Sequence, residues 1–89
     1  MHLQQFLMDI TIYTIHGCKY CTQVKELMVR ADLEYNETLV DTPELKEGFT
    51  SKYPDATTFP FVVIDGEPIG GLVETAKMFV VKGLVSSRK

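Results

Sequence analysis

From Asp9 to Ile15 the chain alternates Ile10, Ile12 and Thr14 against Thr11, Tyr13 and Ile15, so both sides of the pattern carry apolar or β-favouring side chains. A strand with two such faces belongs inside a sheet. His16-Gly17 breaks the run and the period changes. Val24, Leu27, Met28 and Ala31 recur at the i, i+3, i+4, i+7 spacing of one helix face, which predicts a helix from Lys19 to Ala31. Glu34 to Val40 is a second, more polar strand candidate. Asp41-Thr42-Pro43 then predicts a helix start, with Thr42 as cap and Pro43 in the first turn of a helix running to about Tyr53. Leu45 and Phe49 give that helix its apolar side, and Gly48 weakens it by about 1 kcal/mol relative to alanine.

The second half of the chain is a hairpin followed by a helix. Phe61-Val62-Val63-Ile64, then Asp65-Gly66, then Glu67-Pro68-Ile69 reads as two strands on a two-residue turn. Pro68 has no N–H to donate, which puts the second strand at the sheet edge. A last helix is expected from Val73 to about Lys82, with Ala76, Phe79 and Val80 turned inward. The element order is β-α-β-α-β-β-α.

An 89-residue chain that is 45% hydrophobic and 24% charged fits one domain with a modest core. That domain is expected over residues 9–85, with an N-terminal extension at 1–8 and a frayed C-terminal tail at 86–89. A net charge of -3 argues against nucleic acid as a partner. Met1 to Met8 lacks both the basic start and the apolar length of a signal peptide, and no later run is long enough to span a bilayer, so neither export nor membrane attachment is expected. The expected location is the cytoplasm and the expected state a monomer. In that compartment thiols are kept reduced, and a cysteine pair is more often catalytic or metal-binding than structural.

The only two cysteines form Cys18-Lys19-Tyr20-Cys21, at the point where strand gives way to helix. A disulfide closing so short a loop stabilises a fold by only about 2 kcal/mol, which makes a structural staple a poor explanation. Reactivity explains the placement better. A thiol at a helix N-terminus faces unpaired N–H groups and the positive end of the helix dipole, and both favour thiolate. Cys21 falls on the buried stripe three residues before Val24, whereas Cys18 lies at the helix start within reach of solvent. Lys19 slightly opposes the dipole but favours an ionised sulfur beside it. His16 is read as a loop residue, because a thiolate already formed needs no base. His2 is read as an inconsequential tail residue, Met28 and Phe79 as core, and Glu44, Lys46 and Glu47 as a solvated helix face. A zinc site is disfavoured, since one cysteine pair leaves two tetrahedral ligands unaccounted for, and no metal ligand is assigned.

The cysteine pair after the first strand, Thr58-Phe59-Pro60 before the third and Gly70-Gly71 after the fourth together resemble the glutaredoxin family over residues 9 to about 83. The resemblance implies a thioredoxin-like α/β fold of glutaredoxin type: a four-stranded mixed sheet ordered 2-1-3-4, flanked by three helices. It implies a thiol-disulfide oxidoreductase with glutathione as co-substrate and no permanently bound cofactor. Its partners would be glutathione mixed disulfides and protein disulfides, such as that of ribonucleotide reductase.

By the same resemblance Cys18 would be the attacking thiolate, Cys21 the resolving thiol, and Tyr20 a wall of the groove beside the sulfur. Thr58-Phe59-Pro60 would carry the family's cis-proline, Phe59 lending its backbone N–H and C=O to glutathione. Gly71 would bring the N–H groups of Leu72 and Val73 to the γ-glutamyl carboxylate, an anion at a helix N-terminus. Three departures stand out. Ile15 occupies the place of a lysine, Ala56 and Thr57 stand where a polar side chain is common, and Val73 sits where an acidic residue is expected to meet the glutathione amine. Lys19, Lys46 and Lys52 are candidates to replace the missing charge. Two alternatives follow from the departures: a redoxin reduced directly by thioredoxin reductase, and a module whose Cys18 thiolates hold a [2Fe-2S] cluster between two chains with glutathione. A partner-binding domain with incidental cysteines ranks last.

Overall fold

The computed structural model describes residues 8–85. The expected extension, Met8 apart, and the expected tail lie outside the described residues; Met8 itself packs against the core. Seven elements follow the expected order: β1 (Ile10–Thr14), α1 (Lys19–Arg30), β2 (Asn36–Leu39), α2 (Pro43–Lys52), β3 (Phe61–Ile64), β4 (Glu67–Gly70) and α3 (Leu72–Val81). They form one mixed sheet in the order β2-β1-β3-β4. β1 runs parallel to β2, with Ile12 opposite Glu37, and antiparallel to β3, with Tyr13 opposite Phe61.

The two faces of the sheet are covered differently. Ile10, Ile12, Val62 and Ile64 meet Val24, Leu27 and Met28 of α1 and Phe79 of α3 in the main core. The alternate face carries Tyr13 and Phe61, which join Phe49, Tyr53 and Phe59 in an aromatic cluster whose ring centroids lie 4.9 to 5.7 Å apart. That separation is the usual one for tilted and edge-on aromatic contacts. The hairpin turn holds Asp65 at φ 53° and Gly66 at φ 82°, the paired positive angles of a type I′ turn. Asp65 also ties the turn to the start of β1: its N–H donates to the Asp9 carbonyl, and its Oδ1 accepts from the Asp9 N–H, each over 2.8 Å.

Two inward-facing assignments are corrected. Leu45 is exposed and Phe49 is the one buried residue of α2. The edge strand β2 beside this helix is polar and open, so Leu45 rims a shallow groove with Thr38 and Val40 instead of filling a core. Val80 is also exposed, and Thr75 is fully buried. Phe79 sits at the centre of the covered face of α3, so Thr75 one turn before it turns inward while Val80, about 100° further round, turns out.

Candidate active site

Gly17, at φ 71°, turns the chain out of β1 and delivers Cys18 to the N-cap of α1. Cys18 has extended backbone angles and is half-buried, whereas Cys21 in the first turn of α1 is 3% exposed. The two are joined in a disulfide with their Cα atoms 5.2 Å apart. The Cys21 N–H donates to Cys18 Sγ over 3.0 Å, so a sulfur occupies the place of the usual capping oxygen. Tyr20 and Lys19 stand exposed beside the pair, and Lys19 makes no ion pair among the described residues. His16 lies in the loop, its Nε2 3.1 Å from Asp41 Oδ2.

The β1–β3 register carries Thr58-Phe59-Pro60 to the same end of the sheet. Tyr13 is opposite Phe61, so the residues before Phe61 run alongside the residues after Thr14 that lead to Cys18. Pro60 is buried and the Phe59-Pro60 bond is cis, as the resemblance implied; Phe59 is half-buried and Thr58 exposed. The glycine pair closes a third side. A Cβ on Gly71 would lie 3.5 Å from the Pro60 carbonyl oxygen, which places the start of α3 against the proline. Gly71 is the N-cap, so Leu72 and Val73 occupy the first helical positions, where backbone N–H groups have no partner within the helix.

An acidic side chain stands at this helix start, but at Glu74 and not at Val73, which is 64% exposed. Glu74 Oε1 accepts from the Gly71 N–H over 3.0 Å, and the side chain packs so closely that a Cβ on Gly70 would come within 3.1 Å of it. Gly70 has φ 126°, a second reason for glycine there. The missed signal was the acidic residue three positions after the cap, which closes half of a capping box.

On the β2 side of the disulfide lies a cleft of about 470 Å3 lined by Ile15, Cys18, Cys21, Lys25 and Glu37. The buried Thr14 hydroxyl donates to Glu37 Oε2 over 2.8 Å, and Lys25 Nζ donates to both Glu37 oxygens over 3.1 Å. The Thr14 hydroxyl and then the Lys25 ammonium hold the Glu37 carboxyl below its ordinary range. Sequence reading gave no sign of this trio, whose members come from three elements. Of the other cations considered, Lys52 Nζ lies 5.7 Å over the Tyr53 ring.

Comparison with known proteins agrees with this arrangement. A family model described as Glutaredoxin matches residues 10–69. Glutaredoxin 1 of Rickettsia typhi is 36% identical over 70 residues, which cover 76% of this chain and 67% of that one. Glutaredoxin 3 of Escherichia coli is 32% identical over 63 residues, covering 71% and 76%. The crystal structure of glutaredoxin 1 from Francisella tularensis complexed with cacodylate superposes with a TM-score of 0.70 at 30% identity, over 86% of this chain and 96% of that one.

Proposed function

Since the chain belongs to the glutaredoxin family, and so is a thiol-disulfide oxidoreductase, we propose that it works with glutathione and that Cys18 is its nucleophile. The observation that carries this reading is the unequal placement of the two sulfurs, Cys18 at the helix cap and Cys21 3% exposed behind it. In the reduced protein the Cys18 thiolate attacks the glutathione sulfur of a mixed disulfide. A Cys18–glutathione bond forms, the old S–S bond breaks, and the released thiolate takes a proton from water. A second glutathione thiolate then attacks the bound glutathione sulfur, returning Cys18 and releasing oxidised glutathione. With a protein disulfide, Cys21 instead attacks the Cys18 sulfur, closing the disulfide seen here and releasing a protein dithiol. In each route two electrons pass to the substrate.

The unpartnered N–H groups of Leu72 and Val73 suit the γ-glutamyl carboxylate. Glu74 beside them suits its ammonium, a role the sequence reading had given to position 73. Phe59 offers backbone groups to the peptide portion, and exposed Tyr20 forms a wall of the groove. Ile15 and Ala56 supply no charge, so affinity rests on backbone contacts worth on the order of 1 kcal/mol each. No helix among the described residues is long and apolar enough to cross a membrane, and we place the reaction in the cytoplasm.

A second reading, direct reduction by thioredoxin reductase, draws support from the exposed apolar side chain of Val73 at the helix start. The glutathione reading is tested by exposing reduced Cys21→Ser protein to oxidised glutathione and mapping the product by mass spectrometry. One glutathione on Cys18 is expected. A protein that reacts with a small aromatic disulfide but takes up no glutathione overturns the reading.

A further inference from the structure

α2 touches the rest of the molecule through one buried side chain, and that side chain leads to the active site. Phe49 is the only buried residue of this helix, and its ring is the hub of the aromatic cluster. Centroid distances are 4.9 Å to Tyr13, 5.5 Å to Phe61, 5.7 Å to Tyr53 and 5.2 Å to Phe59. Phe59 stands in a segment with little else to fix it. Among the described residues, positions 57–60 make no backbone–backbone hydrogen bond, and the nearest one upstream is from the Ala56 N–H to the Tyr53 carbonyl, 3.1 Å. The ladder between β1 and β3 begins only at Phe61. The N–H and C=O of Phe59 are therefore free to pair with an extended peptide, and the ring of the same residue is what holds them in place.

We propose that Phe49 is a positioning residue for substrate: by gripping the Phe59 ring from α2, it fixes the backbone edge at Phe59 against which the peptide part of a disulfide substrate aligns. The proposal rests on the reading that this edge receives glutathione. It assigns α2 a function in recognition although no side chain of the helix has been placed in the site. It also separates recognition from the chemistry of sulfur, because Phe49 packs on the sheet face opposite α1 and does not line the cleft beside Cys18.

Two reactions of the fully reduced protein distinguish these contributions. One is turnover of the mixed disulfide of glutathione and cysteine, which offers peptide groups to Phe59. The other is the single-turnover reaction with 4,4′-dithiodipyridine, which has none. Phe49→Ala is expected to reduce kcat/KM for the mixed disulfide about tenfold, chiefly through KM, since loss of alignment is known to reduce rates by one to two orders of magnitude. The dithiodipyridine rate is expected to stay within about twofold, as it would when only binding common to ground and transition states is lost. Phe49→Leu keeps most of the apolar volume and protects folding; it is expected to show the same selective loss, about threefold. If Phe49→Ala does not fold, Phe49→Leu decides alone. Equal falls in both reactions, or no change in either in a folded variant, overturn the proposal. A wild-type protein with no turnover of the mixed disulfide contradicts the glutathione reading itself, and with it the premise of this proposal.

Discussion

The Cys21 N–H donates to Cys18 Sγ over 3.0 Å, so one cysteine caps the helix that buries the other. This contact distinguishes two sulfurs that look equivalent in the motif. Cys18 is half-buried at the cap and open to an incoming disulfide, whereas Cys21 is 3% exposed and able to reach only its neighbour.

Cys18→Ser is accordingly expected to abolish turnover of every disulfide substrate. Cys21→Ser is expected to retain reduction of glutathione mixed disulfides and to lose reduction of protein disulfides, which need the internal resolving step. Steady-state rates of both variants on both substrates check the assignment, and an inactive Cys21→Ser beside an active Cys18→Ser reverses it.

The same N–H, aligned with the N-terminal end of α1 and next to Lys19, favours a thiolate at Cys18 once the disulfide is reduced. Alkylation by iodoacetamide, followed against pH in Cys21→Ser protein, is expected to reach its midpoint well below the value of about 8.5 for an ordinary thiol. A midpoint at or above that value removes the activated-thiolate mechanism.

Glu37 supplies a pH dependence of stability. Its carboxyl lies below the ordinary 4.5, first through the Thr14 hydroxyl and then through Lys25. A carboxyl lowered in the folded chain adds stability that is complete above the unfolded value and disappears as pH falls through the folded one. Solvent reaches about a third of the Glu37 side chain, 35%, so the contribution is small. Glu37→Gln is expected to lower the urea midpoint at neutral pH and to match the parent protein well below pH 4.5. An unchanging gap between the two across that range contradicts the assignment.

The sequence carries the fold most clearly where pattern and local chemistry agree. Ile10 and Ile12 against Tyr13, the stripe of Val24, Leu27 and Met28, and Asp65-Gly66 between two apolar runs each specify an element and its neighbours. Leu45 and Val80 were less legible, because an apolar arc shows that a helix has a covered side but not how wide the cover is. That width depends on what the sheet presents, and polar β2 presents little to α2. Within the site, the cysteines, Pro60 and Gly71 were legible because each lies in a short local motif. Glu74 was overlooked because the acidic residue was sought at position 73, and its contact with the Gly71 N–H appears only once the helix start is fixed. The cluster around Phe49 and the trio of Thr14, Lys25 and Glu37 join residues far apart in the chain, so no local pattern announces them.

The electron donor tests the central claim most directly. Reduction of the mixed disulfide of glutathione and cysteine is coupled to NADPH oxidation, first through glutathione and glutathione reductase and then, separately, through thioredoxin reductase alone. The backbone groups at Phe59, Leu72 and Val73, with Glu74 beside them, predict saturable turnover in the glutathione system, with a Michaelis constant raised by the missing charges at Ile15 and Ala56. Turnover confined to the thioredoxin reductase system contradicts the account.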